Sequence, residues 1–278
     1  MKHPEYVGIS GVVRGEDRRL RELYEATNLL GKRVLQLGVK ATHKSQYLGV
    51  DTRYGSSWFP VGDEIDEAVH ETSYGLTGVA QVVMDADQLS SERYRRLFMP
   101  LALGRASNRW LTGVQFDMLT WYDEPNALRD IVERGVRLLD RPDETLTVTL
   151  QCQGEIMNRH TPQQIVRRLG ELTDIVDYVL FDGSCGRGVR MDSYALLPYL
   201  EAVRSTDALN DMGIAVAGGL NAEVAREVLP GLLQHFPDLS WDAEGQLHPM
   251  SPSGDRPLDL TLCKTYLEAC ADVVENRE

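Results

Sequence analysis

Ionisable and amide side chains recur in this sequence where short apolar runs end. Lys40 closes one run, Asp85 the next and Asp117 a third. A fourth leads to Gln151 and Gln153, with Glu155 just beyond. Another closes on Asp182, and the last leads into Asp242 and Glu244. A fold that gathered these ends would place several carboxylates and an ammonium in one pocket of low dielectric. Carboxylates crowded in that way separate their proton affinities, which lets one act as acid while another acts as base. Each residue could equally cap a helix or border a strand. Asp182 stands apart because a glycine-rich loop follows it.

That loop reads Asp182-Gly183-Ser184-Cys185-Gly186-Arg187-Gly188-Val189-Arg190-Met191-Asp192. Glycine lets backbone approach a ligand closely. Arg187 and Arg190 carry forked donors that match carboxylate or phosphate. Ala217-Gly218-Gly219-Leu220-Asn221 then passes from an apolar run into a helical pattern. Backbone N–H groups at such a helix start attract anions. Gly186, Arg187, Gly188, Gly218 and Gly219 are therefore expected to bind substrate, with phosphate as the natural anion.

These residues need elements to hold them. Eight short runs rich in Val, Leu and Ile predict strands at Tyr6–Val13, Arg33–Lys40, Gly78–Asp85, Leu111–Met118, Thr145–Cys152, Asp177–Asp182, Gly213–Ala217 and Asp238–Trp241. Their composition predicts strands covered by apolar side chains on both faces. Helical patterns lie at Asp17–Leu30, Glu64–Val69, Ser90–Leu101, Asn126–Leu139, Pro162–Asp174, Ser193–Ser205, Ala222–Gln234 and Leu258–Val274. Thr161 and Gln164 flank Pro162 as a capping box, and Asp192 and Asn221 are expected caps. Eight near-even strand–helix units predict a single α/β domain over residues 1–278, a (β/α)8 TIM barrel, rather than an open doubly wound sheet. No GxGxxG follows the first strand, since Gly8 and Gly11 lie within it, which argues against a dinucleotide-binding fold. Two stretches read as insertions: residues 43–62, expected near the catalytic face as a lid or a plain loop, and residues 249–257.

The chain has 278 residues and a net charge of −13, spread along its length. An acidic surface opposes nucleic acid and anionic membrane. No apolar run approaches the roughly eighteen residues of a membrane span, and the first residues lack a signal-peptide pattern; a cytoplasmic location is expected. Cys152, Cys185, Cys263 and Cys270 form no CxxC pair and no zinc-finger spacing, so reduced thiols are expected, with no metal and no cofactor. A small anionic substrate is the expected partner, and self-association is compatible with the sequence.

The last third resembles phosphoribosylanthranilate isomerase, which performs an Amadori rearrangement on a phosphorylated ribosylamine. That family carries Leu-Leu-Asp, then Gly-x-Gly-Lys-x-Phe-Asp, then Gly-Gly-Leu-Asn, then Asp-Val-Ser-Ser-Gly-Val-Glu. Here the order is Leu180-Phe181-Asp182, Gly186-Arg187-Gly188-Val189-Arg190-Met191-Asp192, Gly218-Gly219-Leu220-Asn221 and Asp238-Leu239-Ser240-Trp241-Asp242-Ala243-Glu244. Val114-Gln115-Phe116-Asp117 and Ile9-Ser10-Gly11 are similar to the family's fourth and first strands. The resemblance implies Asp182 as general acid, with Gly218, Gly219 and Ser240 holding an anionic group. It places Ser10 where the family has its basic Cys, Asp242 where the family has a phosphate-binding Gly, and Val189 where it has Lys.

Three functions follow as expectations. The first is an acid/base isomerase of a small, phosphorylated sugar-type substrate, with Asp117 or a water held by Ser10 replacing the Cys. The second is a lyase or aldolase, using Lys40 as a Schiff-base amine or a divalent cation on Asp85, Asp117 and Asp182. Lys40 could instead form a salt bridge with one of those carboxylates. The third is a barrel that keeps only a binding role.

Overall fold

The structure, a computed structural model, describes residues 4–13, 17–27, 29, 32–42, 58–60, 64, 77–83, 111–117, 121–139, 145–184, 189–252 and 254–276. Eight strands run in chain order: β1 (Tyr6–Ser10), β2 (Val34–Thr42), β3 (Thr77–Val83), β4 (Leu111–Asp117), β5 (Thr147–Gln153), β6 (Tyr178–Asp182), β7 (Gly213–Ala217) and β8 (Ser240–Ala243). Each pairs in parallel with the next, and β8 returns to β1 to close a barrel. The described α-helices are α1 (Asp17–Glu25), α2 (Pro125–Arg134), α3 (Gly154–Arg159), α4 (Pro162–Gly170), α5 (Ser193–Arg204), α6 (Ala222–His235) and α7 (Leu260–Glu275). The expected helix at Ser90–Leu101 lies outside the described residues, as does that at Glu64–Val69 beyond its first residue. None of the described helices is long and apolar enough to cross a membrane.

Local chemistry explains where the elements stop. Strand β1 ends at Ser10, three residues before the expected limit, because Gly11 turns with φ 87° and the Gly11 and Val12 N–H groups both donate to the Gly38 carbonyl at 2.9 Å. Helix α1 ends at Glu25, short of Leu30, where the Thr27 hydroxyl donates to the Tyr24 carbonyl at 2.7 Å and takes the local backbone out of the helix. Helix α4 begins with the expected capping box on Thr161 and Gln164, and Asp192 and Asn221 cap α5 and α6. Strand β8 starts two residues later than expected. At 238–239 the chain is still turning: Leu239 N–H donates to the Phe236 carbonyl at 3.1 Å, and Asp238 pairs with Arg204. Helix α3 was not expected from the sequence; it follows Gln153 directly and carries Glu155 to the surface, paired with Arg159 rather than at the mouth.

The strands are not apolar on both faces. In β5, Val148, Leu150 and Cys152 join the core beneath the helices, whereas Thr149, Gln151 and Gln153 alternate with them on the barrel's inner face. Buried Gln36, Lys40, Gln115, Asp182 and Asp242 are further polar residues of the barrel strands. Among the described residues, the apolar part of the interior is a small cluster of Tyr6, Tyr178, Leu180 and Ala215, running from the opposite end up to Leu180, which lines the floor of the mouth. Tyr6 and Tyr178 meet edge to face at 5.5 Å, and the Tyr178 hydroxyl donates to the Pro4 carbonyl. The outer shell thus holds the barrel together, while the inner face is left to polar chemistry.

Candidate active site

Asp182 is the last residue of β6, and the turn behind it clamps its carboxylate. Ser184 donates to Oδ1 twice, from its N–H at 2.8 Å and its hydroxyl at 2.7 Å. Gln151 Nε2 donates to Oδ2 at 2.9 Å. Both oxygens of Asp182 therefore act as acceptors. Gly218 sits against this carboxylate with φ 111°; a Cβ there would lie 2.7 Å from Asp182 Oδ1. Only glycine combines that backbone with that approach.

On the other side of β7 stands Asp242. The hydrogen-bond register pairs Asp182 with Ala217 and Ala217 with Asp242. Adjacent strands lie roughly 4.8 Å apart, so the two acidic residues are two strand spacings apart with one methyl group between them. A cavity of about 50 Å³ opens there, lined by both aspartates, Gln151, Ser184, Gly218 and Glu244 among others. Ser10 donates its hydroxyl to Asp242, 2.9 Å from Oδ2 and 3.2 Å from Oδ1. Two strand glycines make room for this pair. A Cβ on Gly8 would lie 2.6 Å from Asp242 Oδ1, and one on Gly38 would lie 2.6 Å from Ser10 Oγ.

Glu244 closes a third side. It pairs with buried Lys40 and accepts from the Trp58 indole N–H at 2.9 Å. The Lys40 ammonium also lies over the rings of Trp58 and Phe59, at 5.6 and 5.4 Å. Lys40 is thus paired with Glu244, just beyond the end of β8. Trp58 belongs to the 43–62 stretch; that part of the loop reaches the mouth, and most of the rest lies outside the described residues.

His248 packs against the same corner. It is fully buried, stacks on Trp58 at 4.7 Å, and sets Nε2 and Nδ1 each 3.0 Å from a carbonyl oxygen, of Ser10 and Arg256 respectively. A neutral imidazole can donate to only one of them. Burial holds its pKa below the ordinary histidine value, opposed by the Ser10 and Arg256 carbonyls and by Glu244, and reinforced by Lys40. Arg256 lies 4.4 Å over the other ring of the stack, Trp58, and donates to the His248 and Gly245 carbonyls. The 249–257 stretch is thereby tied to the mouth.

Of the residues expected from the sequence, Ser10, Lys40, Asp182, Gly218, Asp242 and Glu244 come together here. Gly219 lines the same cavity, but its position is dictated by packing: with φ 62°, its Cβ would lie 2.2 Å from the Val189 carbonyl oxygen. Ser240 does not belong to this group. It begins β8 at the far end of the barrel, where its hydroxyl accepts from the Tyr6 N–H at 3.0 Å; the two-residue shift of β8 puts Asp242 at the mouth instead. Gln153 ends β5, in register with Asp182. Gly186, Arg187, Gly188 and Asp85 lie outside the described residues, as does the side chain of Asp117. Arg190 is paired with Glu223 and Glu227 on α6. Cys152, Cys263 and Cys270 are buried and outside any disulfide. Among the described residues, no three His, Cys, Asp or Glu side chains are arranged to hold a metal ion.

A larger cavity of about 230 Å³ adjoins the first and shares Ser184, Ala217 and Gly218 with it. Its remaining wall is mainly apolar, with Met157, Met191, Leu196 and Tyr199.

No protein-family model matches the chain, and no curated protein matches it. Among solved structures, a protein from Burkholderia cenocepacia with a provisional lyase/mutase assignment superposes with a TM-score of 0.51 at 13% identity, covering 88% of this chain and 77% of that one. Triosephosphate isomerase from Bartonella henselae superposes with a TM-score of 0.50 at 9% identity, covering 99% of this chain and 100% of that one. At these identities the likeness is one of fold.

Proposed function

We propose that this barrel is an acid/base isomerase of a small sugar-type hydroxy-carbonyl substrate, bound between Asp182 and Asp242. The observation that carries the reading is their placement in register on either side of Ala217, on one cavity. Each carboxylate is held by donors of its own, so its orientation is set before substrate arrives, and positioned proton-transfer groups contribute about 10²–10⁴-fold to rate. Asp182, which accepts at every contact, suits removal of a proton from the carbon beside the carbonyl and its return to the neighbouring carbon. This inverts the acid role that the resemblance to phosphoribosylanthranilate isomerase implies for it. Ser10 and Asp242 face the substrate from the other side, where the carbonyl oxygen gains a proton and the adjacent hydroxyl loses one. The proton count is unchanged over the reaction.

The phosphate expected from the sequence would sit on Gly218 and Gly219, beside Asp242 and Glu244. Those carboxylates oppose it, which favours a substrate without a phosphate. A lysine-based lyase is disfavoured because the Lys40 ammonium is held by Glu244 and two aromatic faces.

Solvent exchange tests the proposal. A panel of free and phosphorylated aldoses and ketoses is incubated in deuterium oxide, and deuterium at the carbon beside the carbonyl is followed by NMR. Wild-type protein should exchange at least one sugar, and Asp182→Asn should slow this about 10²-fold or more. Absence of exchange across the panel removes the isomerase reading.

A further inference from the structure

Three buried glutamines of β4 and β5 hold hydrogen-bonding atoms that no described residue uses. They are Gln115 Nε2 on β4, and Gln151 Oε1 and Gln153 Nε2 on β5. The residues are 1%, 5% and 6% exposed. Leaving a buried amide atom unsatisfied is costly, and native interiors rarely tolerate it without a reason. The three share one face. Gln151 lines the small cavity, Gln153 is two residues further along the same strand, and Gln115 is in register with Thr149, two residues before Gln151. The orientation of Gln151 is fixed chemically: its NH2 group must meet the Asp182 carboxylate, which turns its carbonyl oxygen away from Asp182.

We infer that Gln151 and Gln153, with Gln115 one layer deeper, form a recognition subsite for the hydroxyl groups of an uncharged polyol portion of the substrate. This deepens the mouth proposed above as a sugar-binding site and rests on that reading. Amides supply both donors and an acceptor, and a hydroxyl is the small neutral group that uses both. Charge selects against the anionic alternative, because Asp182, Asp242 and Glu244 line the same cavity and the Lys40 cation is already paired with Glu244. A site built to hydrogen-bond a hydroxyl discriminates strongly against an analogue that lacks it.

The experiment measures binding, not turnover, on the full chain. Erythritol, 1,4-butanediol and glycerol 3-phosphate are titrated separately, with saturation-transfer NMR as the readout. Erythritol should saturate in the millimolar range. Butanediol, which lacks the two central hydroxyls, and glycerol 3-phosphate should each bind at least about tenfold more weakly. Gln153→Met, close in volume but apolar, should weaken erythritol about tenfold and raise Tm by a few degrees, because it removes an unsatisfied buried group. A purely structural role for Gln153 would instead lower Tm and leave binding unchanged. Gln115→Met is the second variant should the first not fold. Equal binding of erythritol and butanediol, or erythritol affinity unaltered in the Met variant, overturns the subsite. Erythritol binding without any sugar exchange leaves the subsite standing and removes only the isomerase.

Discussion

Asp182 and Asp242 stand in register on either side of Ala217, so a single methyl group is all that β7 places between two buried carboxylates. The small cavity between them depends on that residue remaining small.

Replacing it tests whether the cavity is the site. Ala217→Leu should reduce substrate exchange about a hundredfold or more, as expected when reacting groups are displaced by an ångström. Its cost in stability should stay within about 1–3 kcal/mol, the usual range for overpacking. Exchange kinetics beside urea unfolding separate the two effects. A variant as active as wild type would move the chemistry elsewhere.

The glycine at position 8 makes room for Asp242. The three nearest atoms that a Cβ there would meet all belong to the Asp242 side chain. Gly8→Ala should therefore cost about 1–3 kcal/mol alone and much less in an Asp242→Ala background. A double-mutant cycle should return a coupling of roughly 1 kcal/mol or more. Strict additivity would mean that the strand, not the side chain, resists the substitution.

Buried His248 gives stability a pH dependence. Its folded-state pKa lies below the ordinary value of 6.5, first because of burial. As pH falls through about 6.5 the unfolded chain gains a proton that the folded protein resists, so the native state loses stability on the acid side. Wild type should lose stability relative to His248→Gln as the pH falls from 7 through 6.5. Thermal melts of both proteins across that window provide the comparison. A wild type that gains stability relative to the variant on acidification would show that the two carbonyl contacts outweigh burial.

Lys40 should not act as a nucleophile. Incubation with a hydroxy-carbonyl sugar and borohydride should leave its peptide without added mass, since a protonated, paired amine does not form a Schiff base. Modified Lys40, seen by peptide mass spectrometry, would put the lyase ahead of the isomerase.

The strands and the two acidic positions were legible because each carries a local signal: a short apolar run, closed at Asp182 by an aspartate and a glycine, and at Asp242 by an aspartate two residues before Glu244. Other features depend on pairing between distant segments. Ser240 reads as a mouth residue only if β8 begins at 238, and the turn held by Phe236 and Arg204 moves the strand by two. Trp58 and His248 reach the mouth from loops about 190 residues apart, through a ring stack that no spacing encodes. The polar inner face was present in the alternation of β5, from Thr147 to Gln153, but the Val and Leu content masked the period of two.

The tyrosine pair at the base of the barrel makes the molecule a cup rather than a tube. With buried Tyr6 and Tyr178 packed edge to face at that end, a ligand bound between Asp182 and Asp242 would come and go by the rim at the strand ends.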